Sequence, residues 1–118
     1  MQYMLLIYST ERDFATMTEA QLGEVLNAYN AYTAGLKASG CYIAGDALKP
    51  TQTATTVRVR GGKALSTDGP FAETKEQLGG YYLLECKTLD EAIHHASKCP
   101  GALDGSIEVR PVMDYPKG

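Results

Sequence analysis

Two carboxylates near the middle of the chain have the chemistry needed for proton transfer. Both lie in the segment TDGPFAETKEQLGGYYLLE, Thr67–Glu85, where Asp68 belongs to the turn sequence DGPF and Glu73 to the charged stretch AETKEQ. A carboxylate in a cleft can act as a general base or as a hydrogen-bond acceptor, and its surroundings can shift its pKa toward the working pH. We therefore predict Asp68 and Glu73 as candidate catalytic residues.

Both carboxylates also have a structural interpretation. Asp68 can accept hydrogen bonds from backbone amides in an Asx-type turn, while Pro70 fixes its own φ and Phe71 is expected to anchor the loop in the core. The stretch that contains Glu73 buries nothing apolar whether it is extended or helical, so an exposed or intersubunit ion-pair segment is the alternative there. The sequence leaves both interpretations open for both residues.

Four further residues are predicted to bind a ligand. Asp46 follows a glycine at the end of a predicted strand, so its carboxylate either forms a turn or faces the mouth of a barrel. Arg58 lies in a predicted hairpin, where it either shields a solvated strand edge or binds a substrate carboxylate through two guanidinium nitrogens. Tyr29 and Tyr82 either line a pocket with phenolic donors or fill the core and an interface.

Composition excludes several classes of partner. The chain has 118 residues and a formal net charge of -3. That charge argues against nucleic acid, whose phosphates require a basic surface, and against anionic membranes. The longest apolar run, Tyr3–Tyr8, is far shorter than the roughly 20 residues that span a bilayer. The length fits one domain, which we place over residues 1–118.

Sequence motifs predict neither a metal nor a cofactor. The chain lacks HExxH, CxxC and a Cys–His cluster, so a zinc site is not expected, and it also lacks the glycine patterns of nucleotide sites and the GxSxG pattern of hydrolases. His94 and His95 are expected at the surface of a helix, with His95 pointing away from the core. The three cysteines, an odd number without a close pair, are expected to be reduced, which indicates a cytoplasmic location.

Hydrophobic spacing and turn signals predict the order β-α-β-(hairpin)-β-α-β. Capping boxes at Thr18 and Thr88 begin the two helices, Gly40 ends the first, and Gly61-Gly62 suits a type I′ turn in the hairpin. The inward helix faces are expected to comprise Leu22, Val25, Leu26, Tyr29, Thr33 and Leu36, then Leu89, Ala92, Ile93 and Ala96. Two helices on one face of an antiparallel sheet form a ferredoxin-like α+β sandwich, here with an extra hairpin.

The strand pattern predicts a homodimer. The segments Gln2–Tyr8 and Gly79–Cys86 carry apolar side chains on both faces, so both faces of the sheet need to be covered. Two helices cover only one face, and the other would expose a larger apolar patch than soluble proteins usually tolerate. Pairing two copies through their sheets removes that patch, so we expect a two-fold dimer.

Four segments together resemble the DGPF-type branch of the YCII-related proteins. They are the stretch Thr67–Glu85, the opening YMLLIY, TATTVRVR at Thr53–Arg60 and the closing EVRPVM at Glu108–Met113, and they span essentially the whole chain. The resemblance implies a bacterial, cytoplasmic protein that forms a dimeric α+β barrel on a ferredoxin-like fold. It also implies an acidic residue near the position of Asp46, and an extracytoplasmic-function sigma factor as a partner.

The resemblance implies less about the reaction. In the wider group a His–Asp pair on the first helix and at its exit is proposed as catalytic, but the first helix here has no histidine. Two functions therefore stay open. One is an enzyme of isomerase or lyase type that acts on a small polar or aromatic acid in a dimer cleft. The other is a non-catalytic sensing or interaction module that works with a sigma factor.

Overall fold

The computed structural model describes residues 1–11 and 16–114, and in these residues the chain has the mixed α+β composition that the sequence predicts. The elements in chain order are β1 (Gln2–Ser9), α1 (Glu19–Ala38), β2 (Tyr42–Ala47), β3 (Thr55–Arg60), β4 (Lys63–Asp68), β5 (Gln77–Glu85), α2 (Leu89–Lys98) and β6 (Ser106–Pro111). Short 3-10 turns precede β3 and follow α2. Within the described residues, no helix combines the length and the apolar composition needed to cross a membrane.

Four strands form one antiparallel sheet, in the order β2-β5-β1-β6. The central strand β1 pairs with β5 on one side and with β6 on the other, and β2 pairs with the free side of β5. The two helices lie in the connections from β1 to β2 and from β5 to β6. This arrangement is consistent with a ferredoxin-like fold. Strands β3 and β4 form a separate two-stranded hairpin.

Local signals in the sequence are confirmed at several element ends. At the start of α1, the Gln21 amide donates to Thr18 Oγ1 at 3.1 Å, and the Thr18 amide donates to Gln21 Oε1 at 2.9 Å, so the capping box is complete. Gly61 and Gly62 have φ values of 58° and 78°. Positive φ at both central residues is what a type I′ turn requires, so the predicted hairpin turn is present.

The second capping box forms only in part. The Glu91 amide donates to Thr88 Oγ1 at 3.2 Å, as expected for a capping residue. The Glu91 carboxylate, however, accepts from the Lys87 amide at 3.1 Å rather than from the amide of Thr88. Glu91 Oε2 is therefore held close to the backbone of Lys87, the residue before the capping residue Thr88.

The core lies between the helices and one face of the four-stranded sheet. Alternation along β1 and β5 directs every second side chain toward the helices, as the sequence predicts. The buried apolar residues are Tyr3, Leu5, Ile7, Leu36, Cys41, Tyr82, Leu84, Cys86, Ala92, Ala96 and Cys99. The three cysteines are free and buried, in agreement with the prediction of reduced thiols.

The structure buries fewer residues on the inward face of each helix than the sequence predicts. On α1 only Leu36 is buried, while Leu22 and Leu26 are 38% and 64% exposed. On α2, Leu89 and Ile93 are 47% and 48% exposed, so their predicted burial is also wrong. Helical periodicity identifies side chains that share a face, but how far along a helix that face is covered depends on tertiary contacts.

The predicted surface position is confirmed for His94 and is wrong for His95. His94 is exposed, whereas His95 is half-buried. The hydroxyl of Tyr32 on α1 donates to the backbone carbonyl of His95 at 2.7 Å, and the His95 Nε2 atom lies 3.7 Å from Cys41 Sγ. Contacts with α1 and with the start of β2 therefore turn His95 toward the protein interior.

Candidate functional site

We call the sheet face that points away from the helices the outer face. Its side chains include two rows that run across all four strands. Strand pairing places Asp46, Tyr81, Leu6 and Glu108 in one row across all four strands. The adjacent row contains Ala44, Leu83, Met4 and Arg110. Neighbouring strands are about 4.8 Å apart, so Asp46 and Glu108 lie about 14 Å from each other across the sheet. The outer face therefore has an apolar centre between two polar edges.

A tyrosine and a carboxylate are hydrogen-bonded at one of these edges. The Tyr81 hydroxyl donates to Asp46 Oδ2 at 2.7 Å. This hydrogen bond, followed by the negative charge of Asp46, raises the pKa of Tyr81 above its ordinary value. The phenol thus stays protonated at neutral pH, so the pair presents one hydroxyl donor next to one carboxylate acceptor.

The opposite edge carries an ion pair. Arg110 Nη2 lies 2.6 Å from Glu108 Oε2, and the Tyr8 hydroxyl donates to Glu108 Oε1 at 3.4 Å. The hydrogen bond from Arg110 lowers the pKa of Glu108, which therefore remains ionised at neutral pH. A guanidinium, a carboxylate and a phenol thus flank the apolar centre on this side.

Asp68 and Arg58 lie on the hairpin formed by β3 and β4, and both are exposed. The turn after Asp68 is held by the Gly69 amide, which donates to the Ala54 carbonyl at 2.7 Å, and by Thr56 Oγ1, which donates to the Gly69 carbonyl at 2.8 Å. These hydrogen bonds come from a backbone amide and a threonine hydroxyl, and neither involves the Asp68 carboxylate, as the Asx-turn interpretation would require.

The prediction that Phe71 anchors the DGPF turn in the core is wrong. Phe71 is 80% exposed, although large aromatic side chains usually bury most of their surface. The physical reason is that the hairpin forms its own two-stranded sheet, so the loop that follows it does not run over the helix-covered core. Phe71 is instead an exposed side chain three residues after the hairpin ends.

Glu73 lines a small polar cleft of about 330 Å³ next to this loop. Pro70, Thr74, Gln77 and Thr51 contribute to its walls. The cleft is ordered by hydrogen bonds, because the Thr51 amide and hydroxyl both donate to the Glu11 carboxylate, at 2.7 and 2.9 Å. Glu73 is therefore the candidate of the DGPF segment that faces a cavity within one chain.

Tyr29 and Tyr82 lie on the other side of the sheet from Asp46. Tyr82 is 8% exposed, and its hydroxyl is 2.7 Å from Thr33 Oγ1 on α1. Burial, and next the neighbouring Cys99 thiol, raise the pKa of Tyr29, and burial also raises that of Tyr82. Within one chain the six candidates thus fall into separate places: outer face, hairpin, loop cleft and core.

A second group of side chains, with atoms that can bind a metal ion, lies where β5 ends and α2 begins. Cys86, Glu91 and His95 each provide a ligand atom, and these atoms lie within 4.8 Å of one another. Burial, and then the Glu91 carboxylate, raise the pKa of Cys86 to about 11, with Cys41 as a further contributor. Cys86, Glu91 and His95 thus have donor atoms close enough together for a metal site, although the sequence motifs predicted none.

The sequence did not reveal several of these contacts because the partners are distant along the chain. Tyr81 meets Asp46 only through the pairing of β5 with β2. Cys86, Glu91 and His95 carry one local signal, since a helical Glu and His four residues apart share a face. Metal motifs based on paired cysteines do not include that spacing.

The chain belongs to the YCII-related domain family, whose match covers residues 1–116. Over 73 residues the chain is also 49% identical to an uncharacterized protein of Rhizobium meliloti (strain 1021). That alignment covers 60% of this chain and 59% of the relative, so the chain spans about three fifths of the length of the curated relative it matches.

Proposed function

We propose that this protein is a homodimer whose outer faces enclose a cleft for a small organic acid, and that Tyr81 and Asp46 transfer protons there. The observation that carries the proposal is the 2.7 Å hydrogen bond between these two residues at the border of an apolar surface. A ligand ring or chain would lie over the apolar centre, while its polar groups would meet the hydroxyl and the carboxylate.

Uncovered apolar surface supports the dimer. Leu6 and Leu83 lie on the outer face and are half-exposed in the single chain. Burying apolar surface contributes about 25 cal/mol per Å² to association, and soluble monomers seldom leave such a face open. A second copy placed face to face covers this surface, and its two-fold symmetry doubles every contact.

The hairpin provides a second argument. Val57 and Val59 on β3 are 63% and 60% exposed, and Leu65 on β4 is 51% exposed. An isolated two-stranded hairpin is only marginally stable in water, so it needs a surface to pack against. The radius of gyration of the Cα atoms is 16.3 Å, whereas a compact domain of this length has about 13–14 Å. A projecting hairpin that packs on a partner accounts for both facts.

In this dimer the hairpin brings further charged groups to the cleft. Arg58, Asp68 and Glu73 lie on the hairpin or on the loop after it. Arg58 pairs with Leu65 on the hairpin face opposite to Val57 and Val59, and from that face Arg58 of one copy would hold a ligand carboxylate with two hydrogen bonds. Asp46 of the other copy would accept a proton, and the Tyr81 hydroxyl would donate one, which is the chemistry of an isomerase or lyase.

Oligomeric state and ligand binding test the proposal together. Light scattering at micromolar concentration is expected to give the mass of a dimer for the full chain. Leu6→Lys places a charge on the outer face and is expected to give a monomer with unchanged circular dichroism. Leu103→Lys is the matched control, because Leu103 is 91% exposed in the connection between α2 and β6. A wild-type chain that stays monomeric would contradict the proposal.

Turnover then separates catalysis from sensing. A panel of small aromatic and aliphatic carboxylates and lactones is first screened by the shift in thermal unfolding temperature, since a ligand that binds only the folded state raises it. Bound compounds are then followed by NMR for chemical change or for solvent deuterium incorporation. Binding with neither would leave a dimeric ligand sensor and would remove the acid–base role of Tyr81 and Asp46.

A further inference from the structure

A compact set of metal-binding side chains lies on the helix side of the sheet, away from the outer face. Cys86 directly follows β5, and Glu91 and His95 lie on adjacent turns of α2. One ligand atom from each of the three lies within 4.8 Å of the other two. Residues four apart on a helix share a face, so Glu91 and His95 point in the same direction from α2.

Cys41, the residue immediately before β2, supplies a fourth donor. Its Sγ atom lies 3.7 Å from Nε2 of His95. Zinc bonds of about 2.3 Å to sulfur and about 2.0–2.1 Å to nitrogen place two tetrahedral ligands about 3.6 Å apart. The separation of these two atoms is therefore close to the edge of a zinc tetrahedron.

We propose that Cys41, Cys86, Glu91 and His95 bind one zinc ion in each chain. Two thiolates, an imidazole and a carboxylate form a donor set that suits Zn²⁺, whereas Mg²⁺ and Ca²⁺ prefer oxygen ligands alone. The ion joins the beginning of β2, the end of β5 and the first turns of α2. It thus fixes the helix on the sheet from the side opposite to Tyr81 and Asp46.

Neighbouring groups hold three of the four ligands in position. The Lys87 amide donates to Glu91 Oε2 at 3.1 Å, which leaves the other carboxylate oxygen for the ion. The Ser39 hydroxyl donates to the Leu36 carbonyl at 2.9 Å, and its Oγ atom lies 3.1 Å from Cys41 Sγ, so it packs against this thiol. Tyr32 donates to the His95 carbonyl at 2.7 Å and so fixes the turn of α2 that carries the imidazole. Such outer contacts orient metal ligands and strengthen binding.

The ion has a path to this site. Both cysteines are buried, at 3% and 2% exposure for Cys41 and Cys86, whereas Glu91 and His95 are half-buried. A cleft of about 540 Å³ between α1 and α2 is lined by Tyr32, His95 and Lys98 among others. The imidazole thus connects the buried thiols to the cleft, through which hydrated Zn²⁺ can enter.

Metal titration of the reduced full chain tests the proposal. After chelator treatment and removal of the chelator, Co²⁺ is added as a spectroscopic substitute for Zn²⁺. One equivalent per chain is expected to produce a thiolate-to-cobalt charge-transfer band and the visible bands of a tetrahedral centre. One equivalent of Zn²⁺ is then expected to abolish these bands and to raise the thermal unfolding temperature.

Adjacent histidines provide the matched variants. His95→Gln is expected to weaken Zn²⁺ binding by more than roughly 100-fold, beyond the usual effect of an outer-contact residue. His94→Gln changes the exposed neighbour and is expected to bind as the wild type does. Cys86→Ser removes a buried thiolate and is also expected to weaken Zn²⁺ binding. If that variant does not fold, Glu91→Gln tests a second ligand at a half-buried position.

Two results would overturn the zinc site. One is the absence of a stoichiometric charge-transfer band in a reduced, folded chain. The other is equal Zn²⁺ affinity for His95→Gln and His94→Gln. Neither result bears on dimer formation through the outer face, so this inference and the proposed function can fail separately.

Discussion

Tyr81 and Asp46 lie directly opposite one another on β5 and β2, and a 2.7 Å hydrogen bond joins the phenol to the carboxylate. Both residues are on the sheet face that the helices leave uncovered. The pair combines a donor that stays protonated with an acceptor that can take a proton, beside an apolar surface. This combination connects the fold to the proposed function.

Removing the Tyr81 hydroxyl is expected to weaken ligand binding without unfolding the chain. Tyr81→Phe deletes one hydrogen bond of about 1–1.5 kcal/mol, which corresponds to roughly tenfold in the dissociation constant. Isothermal titration calorimetry with the tightest-binding carboxylate of the panel measures this dissociation constant. Asp46→Asn should abolish any proton exchange, and Asp104→Asn, in the connection before β6, is the control carboxylate. Equal affinities for Tyr81→Phe and wild type would remove Tyr81 from the site.

Making the hairpin less apolar is expected to weaken the dimer. The double change Val57→Thr with Val59→Thr keeps β-branched side chains but replaces two methyl groups by hydroxyls. At about 0.8 kcal/mol for each lost apolar group, dimer dissociation should become at least roughly tenfold more favourable. Sedimentation equilibrium measures the constant, with Leu103→Thr as control. An unchanged constant would show that the hairpin lies outside the interface.

A methyl group at Gly80 is expected to disturb the strand pair that holds Asp46. A Cβ there would lie 2.9 Å from the Asp46 carbonyl oxygen and 3.4 Å from Ala47 Cα. Gly80→Ala should lower the free energy of unfolding by about 1–3 kcal/mol, as overpacking against backbone does. Gly79→Ala is the control, because its nearest neighbour is Ser9 Oγ at 4.0 Å. Urea denaturation measures the free energy of unfolding of both variants. Equal values would argue against the β2–β5 register.

Alkaline pH is expected to destabilise the fold through its buried tyrosines. Burial, and next the Cys99 thiol, raise the pKa of Tyr32 above the ordinary value of 10.0. Above pH 10.0 the unfolded chain therefore loses this proton while the folded chain keeps it, so the free energy of unfolding falls as the pH rises. Below that pH both states are protonated and this stabilisation is fully retained.

Tyr32→Phe tests the assignment. It should flatten the decline between pH 9 and 12 and cost about 1 kcal/mol at neutral pH, because the hydrogen bond to the His95 carbonyl is lost. Urea denaturation at several pH values measures both effects. Tyr8→Phe, on the outer face, serves as the control. If both variants lose stability with pH as steeply as the wild type, Tyr32 is not responsible.

Local sequence signals predicted the elements better than the surfaces. The Thr18 capping box and the Gly61-Gly62 turn depend on residues within three or four positions, and both are present. Alternation along β5 also placed Tyr81 and Tyr82 on opposite faces correctly. Phe71 and Leu26 were assigned to the core and are exposed, because their burial depends on where the hairpin and α1 lie relative to the sheet.

The candidate site was predictable in part. Asp46 was chosen for its place at a strand end, but its contact with Tyr81 was missed, since only the pairing of β2 with β5 brings them together. His95 was assigned to the surface because helical spacing alone does not reveal that Tyr32 and Cys41 lie beside it. The sequence pattern thus could not reveal contacts between residues that are distant along the chain.

The most direct test of the central claim is a crystal structure of the full chain grown with the tightest-binding small carboxylate. The account predicts two copies paired through their outer faces. It places the ligand against Tyr81 and Asp46 of one copy, within reach of Arg58 of the partner subunit. A ligand bound elsewhere, with the outer faces open to solvent, would contradict it.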